Sequence, residues 1–349
     1  MTHNNYRRIL LSAAALALSG AFATANAADV VIAGSGGASQ DAQRQALWEP
    51  ASKALGIAFA EETSQNWGEV RAQVDAGAVT WDIVQLALQD TGLVSAAGVI
   101  MKLPEDIVNR ADYIPGSVND YCVGNTVYST AISYSTEVYG EQGPQNMVDF
   151  WDVEKFPGKR GMLRAPRGNL EAAVLALGHP REEVYTFLST PEGRQAALDK
   201  IAELKPNVLW WESGAQSMQL MQDGEVPLMY GWNGRAQAAI DAGAPYKLSF
   251  NDALLNVDCY AIVNGAPNAE NALKFLKEVA KPEYQKDLPK YIAYGSANLK
   301  AYVGYDEATL ARLASSPQNL TNQYPADVEF WTEHGAELSE QFDAMLLSN

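Results

Sequence analysis

Short apolar runs closed by glycine or polar turns alternate with amphipathic stretches along this chain, and that alternation limits its fold more than any other feature. Residues 29–33, Asp-Val-Val-Ile-Ala, read as a buried strand, and Gly34, Ser35, Gly36 and Gly37 turn the chain into a helical pattern over 40–55. The strand pattern recurs at 81–86, at 226–230 ahead of Trp232-Asn233-Gly234-Arg235, and at 259–263. The β-rich run 126–134 suits a strand that crosses the molecule. Helices are expected over 169–177, 191–204 and 269–279. Asn169 is expected to cap the first of them and Gly178 to stop it, with Glu171 in the first turn, where the helix dipole favours a carboxylate. Alternation of this kind builds βαβ units, hence a largely parallel sheet covered by helices on both faces.

Length points to more than one core. Arg7 and Arg8, an apolar run over 9–18 and Ala25-Asn26-Ala27 have the order of a secretory leader cut near Ala27. What remains is roughly 320 residues, which favours two domains and a cleft between them. The apolar run is about half of the ~20 residues that span a bilayer, so a membrane-embedded mature protein is not expected. The formal net charge of −17 includes the two leader arginines. Mature protein this acidic argues against nucleic acid or an anionic membrane surface as a partner.

The two cysteines, Cys122 and Cys259, would be exported to a compartment where disulfides persist. A long-range bridge and a pair of buried thiols both fit the sequence. Neither His179 nor His334 has a second histidine or a cysteine at metal-ligand spacing, so no metal site is expected. Gly34-Ser35-Gly36 lacks the third glycine of a dinucleotide turn, since Ser39 occupies it. Gly158-Lys159 is followed by Arg160 where a P-loop needs Ser or Thr, and the G-x-S-x-G elbow of serine hydrolases is absent. No cofactor and no catalytic set is expected.

Six short words occur in order: Gly36-Gly37, Trp81-Asp82, Phe156-Pro-Gly-Lys-Arg-Gly161, Asp223-Gly-Glu-Val226 leading to Trp232-Asn-Gly234, Asn256-Val-Asp258, and Tyr291-Ile-Ala-Tyr294. In them the chain resembles the spermidine/putrescine-binding family of periplasmic solute-binding proteins, which serve ABC importers. The resemblance implies a two-lobed α/β periplasmic binding protein fold of the type II arrangement. Each lobe would be a mostly parallel sheet flanked by helices, with the ligand in the cleft. Residues 28–133 and 259–300 would form one lobe, and 134–258 with 301–349 the other. It implies a periplasmic protein that closes on a small amine-containing solute, in this family a polyamine such as putrescine or spermidine, and hands it to a membrane permease; one pair of lobes is enough for the cleft to work, so a monomer is expected.

Residue by residue, the resemblance makes Trp232 a π face for the amine chain, Asp258 a carboxylate partner of an amine, Tyr294 an aromatic of the cleft and Glu171 a second acid. It adds Ser35, Gln89 and Asp90 as polar cleft positions. Two departures bear on the ligand: Gly168 stands where polyamine binders can carry an acid, and Asn256 replaces an aromatic. Moreover Arg235 follows Asn233-Gly234 where polyamine relatives can have a small neutral residue, Arg164 and Arg167 stand just before the expected 169–177 helix, and an arginine in the cleft would repel a polyamine and grip an anion. With Arg235 in the cleft the ligand would be a zwitterion such as γ-aminobutyrate or 2-aminoethylphosphonate; with Arg235 outside it, putrescine or spermidine. Trp210, Trp211, Ser213 and Gln216 form a further aromatic-polar group that could line the pocket. An exported enzyme on the same bilobal fold, with Cys122 or Cys259 as nucleophile, is the alternative of another class, although neither cysteine has a motif that supplies a base.

Overall fold

A computed structural model describes residues 28–64 and 67–348, so the leader expected over 1–27 lies outside the described residues. Among the described residues the strands are β1 (Val30–Gly34), β2 (Phe59–Thr63), β3 (Ile83–Ala87), β4 (Val123–Ser135), β5 (Arg160–Leu163), β6 (Val208–Trp211), β7 (Leu228–Trp232), β8 (Tyr246–Ile262), β9 (Gly295–Ser296) and β10 (Gln323–Pro325). They join in the order β2-β1-β3-β8-β4-β7-β5-β6, with β10 alongside β8 and β9 alongside β4. The outer neighbours β2-β1-β3 and β7-β5-β6 pair in parallel; in the middle β8 runs antiparallel to β3 and β4, and β4 to β7, while β10 lies parallel to β8.

The two central strands are long enough to serve both lobes. β4 and β8 pair along most of their length, with register shifts between Gly124 and Thr126 and between Thr130 and Ile132. Val127 and Val257 belong to a core built around Ile32, Leu47, Ile83 and Phe275. A few residues along the same strands, Ile132 and Leu254 belong to a second core with Leu170, Leu198 and Phe342. A chain that passes from one core to the other through paired strands produces two α/β lobes with a shared middle.

Most sequence expectations hold to within two residues. The helices Pro191–Leu204 and Ala269–Val279 have the expected ends. The first is capped by Thr190, whose hydroxyl accepts from Gly193 N–H at 3.0 Å. The second buries Ala272, Phe275, Leu276 and Val279, the spacing of one helix face. The run 259–263 proves to be only the end of the 17-residue β8. Asn169 does not cap its helix: the cap is Gly168 at φ 89°, and the Asn169 amide donates to the Leu163 and Ala165 carbonyls at 2.7 Å. A positive φ is cheap only for glycine, which accounts for Gly168 where an acid was the alternative.

Several of the recognised words do structural work. Asp82 is fully buried and accepts from Val31 N–H and Asn268 N–H, both at 2.8 Å, tying β1 to the start of the 269–279 helix. Arg160 is equally buried and donates to the carbonyls of Phe150, Phe156 and Asp152, so it closes the end of the Met147–Trp151 helix. Cys122 and Cys259 form a disulfide with Cα atoms 5.7 Å apart across 137 residues. Both sulfurs are committed to that bridge, so neither cysteine is a free nucleophile.

Candidate functional site

A cavity of about 670 Å³ opens where the carboxyl ends of β1 and β3 face the loops after β5 and β7, with the middle of β4 and β8 as its floor. Open α/β sheets bind ligands in that position because the loops converge there. Ser35, Asp90, Trp232, Arg235, Asp258 and Tyr294 all line it. A shallower depression of about 400 Å³ beside Gln237, Tyr246 and Asn322 shares no residue with it.

Asp258, on β8, is the acidic centre of the cavity. Its carboxylate accepts from the Gln85 amide at 2.9 Å and from the Tyr128 hydroxyl at 3.2 Å. Part of its surface opens to the cavity, yet protein surrounds it closely enough that desolvation pushes its pKa up to about 7; the Tyr128 and Gln85 hydrogen bonds and the Arg167 charge oppose that rise. The ring of Tyr128 stands edge-on to Trp232 at 6.3 Å and beside Tyr294 at 5.4 Å. Three aromatic rings next to a carboxylate are suited to an ammonium.

Each residue of the Trp-Asn-Gly-Arg word has a separate place in or behind the cavity wall. Trp232 ends β7 and is supported from behind by Trp211, 5.0 Å away and nearly perpendicular. Asn233 is fully buried, accepts from Ser129 N–H at 2.9 Å and donates to the Ala293 carbonyl at 2.7 Å, which joins the crossing strand to the segment before Tyr294. Gly234 is needed because a Cβ there would lie 2.2 Å from the Tyr294 ring. Arg235 then enters the cavity wall across Gly214, where an added Cβ would lie 2.7 Å from its Nε. Its guanidinium ends beyond Gly37, at 3.9 Å from that residue's Cβ position. Arg235 is 8 % exposed, makes no ion pair among the described residues, and its Nε has no acceptor. Burial pushes the Tyr294 phenol pKa up, against the opposing charge and hydrogen bond of Arg235.

The other charges of the cavity are paired. Asp90, after β3, bonds Arg167 of the facing lobe at 3.0 Å, and Arg167 lies 5.7 Å from the Trp331 ring. Arg164 reaches Asp343 at 3.3 Å and Glu212 at 3.6 Å. Glu171 and Gln89 stand behind the wall rather than on it. The Glu171 carboxylate is fully buried and accepts from Gly168 N–H at 2.7 Å, Trp331 Nε1 at 2.8 Å and the Tyr185 hydroxyl at 2.9 Å. Burial raises its pKa despite those bonds. Gln89 donates to Asn256 at 3.2 Å, and Asn256 in turn donates to the Leu254 carbonyl at 3.0 Å.

Ser213 caps the Gly214–Gln222 helix by accepting from Gln216 N–H, and Trp210 packs on Phe342 at 5.6 Å, so these two residues are structural. Sequence reasoning passed over Gln85, Tyr128 and Trp331. Gln85 is a polar residue inside an apolar strand word, which is a usable signal; Tyr128 in a β-rich run and Trp331 in a distant helix offer none. Among the described residues no group of three or more His, Cys, Asp or Glu side chains is placed to hold a metal.

Comparison with known proteins agrees with this architecture. The family described as bacterial extracellular solute-binding protein matches residues 51–314. MotA from A. tumefaciens B6, solved in complex with glucopine, superposes with a TM-score of 0.88 at 53% identity, covering 91% of this chain and 100% of that one. The gamma-aminobutyric acid-binding protein of Pseudomonas aeruginosa is 33% identical over 93% of this chain and 92% of its own. The spermidine/putrescine-binding periplasmic protein of Salmonella typhimurium is 28% identical over about half of each, 52% and 51%. The chain therefore belongs to the bacterial extracellular solute-binding proteins and is a solute-binding component of an ABC importer.

Proposed function

We propose that the solute is a zwitterion whose ammonium meets Asp258 among Tyr128, Trp232 and Tyr294 and whose carboxylate meets Arg235. The observation that carries this reading is charge pairing: Asp90, Arg167 and Arg164 are spoken for, whereas Asp258 and Arg235 face the cavity with no ion-pair partner among the described residues. A buried charge left unpaired is costly, so a ligand that supplies both missing partners recovers the desolvation of both. The helices Gly214–Gln222 and Asn233–Asp241 both begin beside Arg235, and their amino ends favour an anion. A polyamine would satisfy Asp258 and confront Arg235 with a second cation.

The relatives support a zwitterion more than a polyamine. The gamma-aminobutyric acid-binding relative aligns over nearly the whole chain, and the polyamine-binding one over half of it. The cavity of about 670 Å³ leaves room beyond a four-carbon amino acid, which keeps glucopine, bound by a relative at 53% identity, among the candidates. On this reading the protein is exported by the 1–27 leader and acts as a periplasmic monomer that gives its solute to a permease without altering it. The lobes would divide near residues 133 and 258, and again near 300.

Titration calorimetry of the purified mature protein with γ-aminobutyrate, glucopine, 2-aminoethylphosphonate, putrescine and spermidine tests the proposal. Binding of a zwitterion, lost in Arg235→Met, is the expected result. Binding of the polyamines alone, unaffected by Arg235→Met, would overturn it.

A further inference from the structure

A line of buried hydrogen bonds runs through the first lobe and ends on Asp258. It begins at the indole of Trp48, which can only donate and does so to the Tyr260 hydroxyl oxygen at 2.7 Å. The Tyr260 hydroxyl must then send its own proton onward, and it donates to Oε1 of Gln43. Asn125 donates to the same oxygen at 2.9 Å. With its carbonyl occupied, Gln43 turns its NH₂ to Oε1 of Gln85 at 3.1 Å and to the Ser39 hydroxyl at 3.3 Å. Gln85 is left with its NH₂ toward Asp258, at 2.9 Å. Each step follows from the one before, because an amide has one donor end and one acceptor end.

The helix that carries Gln43 is built to allow this. Residues Arg44–Trp48 form a π turn between two α segments. In an α-helix residues five apart point well away from each other, whereas the wider π turn brings Gln43 and Trp48 toward one side, where both reach Tyr260. Such turns are uncommon and frequently accompany functional sites. Gln43 and Trp48 are fully buried, and neither lines the cavity.

We propose that Gln43 is a positioning residue for amine recognition: it holds Gln85 with its N–H toward Asp258, so that the cleft presents an ionised carboxylate to a ligand cation. The inference rests on the reading of Asp258 as the amine-facing group. A Gln85 free to turn could accept a proton from a neutral Asp258, and the locked orientation withholds that acceptor. The remaining groups that act on Asp258 are Tyr128 on β4, Arg167 and Asp90 of the inter-lobe pair, and Tyr294 from the segment before β9.

The test follows the Asp258 carboxyl carbon by NMR in ligand-free protein labelled at aspartate, with Asp258→Asn identifying the signal. In Gln43→Met the titration midpoint should rise by about one pH unit, a tenfold change in proton affinity. Gln85→Met should raise it at least as far, and the double variant should go no further than Gln85→Met alone. Tyr260→Phe, which keeps the ring and removes the hydroxyl that orients Gln43, should move the midpoint in the same direction if Gln43→Met does not fold. A midpoint unchanged by Gln43→Met or Tyr260→Phe, while Gln85→Met moves it, would overturn the proposal, as would a midpoint that none of them moves. Since no ligand is present, the outcome is independent of whether the solute is a zwitterion.

Discussion

Asp258→Asn should stabilise the ligand-free protein and abolish its affinity for amines. Burial raises the Asp258 pKa from 3.8 to about 7 in the folded protein, so the folded state holds this proton more tightly than the unfolded chain does between those values. Wild-type stability therefore falls as pH rises through that window, and the loss is complete above pH 7. A shift of this size corresponds to about 4 kcal/mol. Asparagine does not titrate and escapes that loss, but it can accept only through one oxygen where the carboxylate accepts from both Gln85 and Tyr128, which returns about 1–2 kcal/mol. The variant should thus be more stable than wild type by about 2–3 kcal/mol at pH 8 and no more stable at pH 4. Urea unfolding of both proteins at the two pH values, with the disulfide intact, measures the difference. Equal effects at pH 4 and pH 8 would refute the argument that Asp258 is held in a desolvated place. In calorimetry the wild type should release close to one proton per amine bound at pH 6 and little at pH 8, read from buffers of different ionisation enthalpy.

Arg235→Met should weaken zwitterion binding by about 2–5 kcal/mol, as expected when one member of a desolvated charge pair is removed, and should leave or improve binding of putrescine in calorimetry. Gly234→Ala should displace the Tyr294 ring, which an added Cβ would meet at 2.2 Å, and should weaken binding tenfold or more with a lower Tm. Replacing Cys122 and Cys259 together by alanine removes a link across 137 residues and should cost about 2–5 kcal/mol in denaturant unfolding.

Much of this protein could be read along the chain. The strand, glycine turn and helix at 29–55, the helices at 191–204 and 269–279, and the strand before Trp232 are local matters of hydrophobic period and capping, and they lie where those rules put them. Strands β2 and β5 escaped notice because charged residues interrupt their apolar pattern, β6 because its tryptophans read as an aromatic cluster, and β9 and β10 because two or three residues set no period. The resemblance in six short words brought Asp258, Trp232 and Arg235 into one group, but it could not say which charges would be left over.

That remainder is a tertiary result. Asp90 is neutralised by Arg167, 77 positions away, and Glu171 is turned from the cleft by Trp331, 160 positions away, although both acids looked like ligand contacts in the sequence. Gln85 meets Asp258 across 173 positions, and the bridge from Cys122 to Cys259 was undecided until their Cα atoms proved to be 5.7 Å apart. Backbone propensity and hydrophobic period act over one or two turns, so most of the longer elements and the list of polar candidates were already legible along the chain. Which carboxylate and which guanidinium remain unpaired in the cavity was decided only by folding, because pairing depends on distances of about 3 Å between residues brought together by the crossing of β4 and β8.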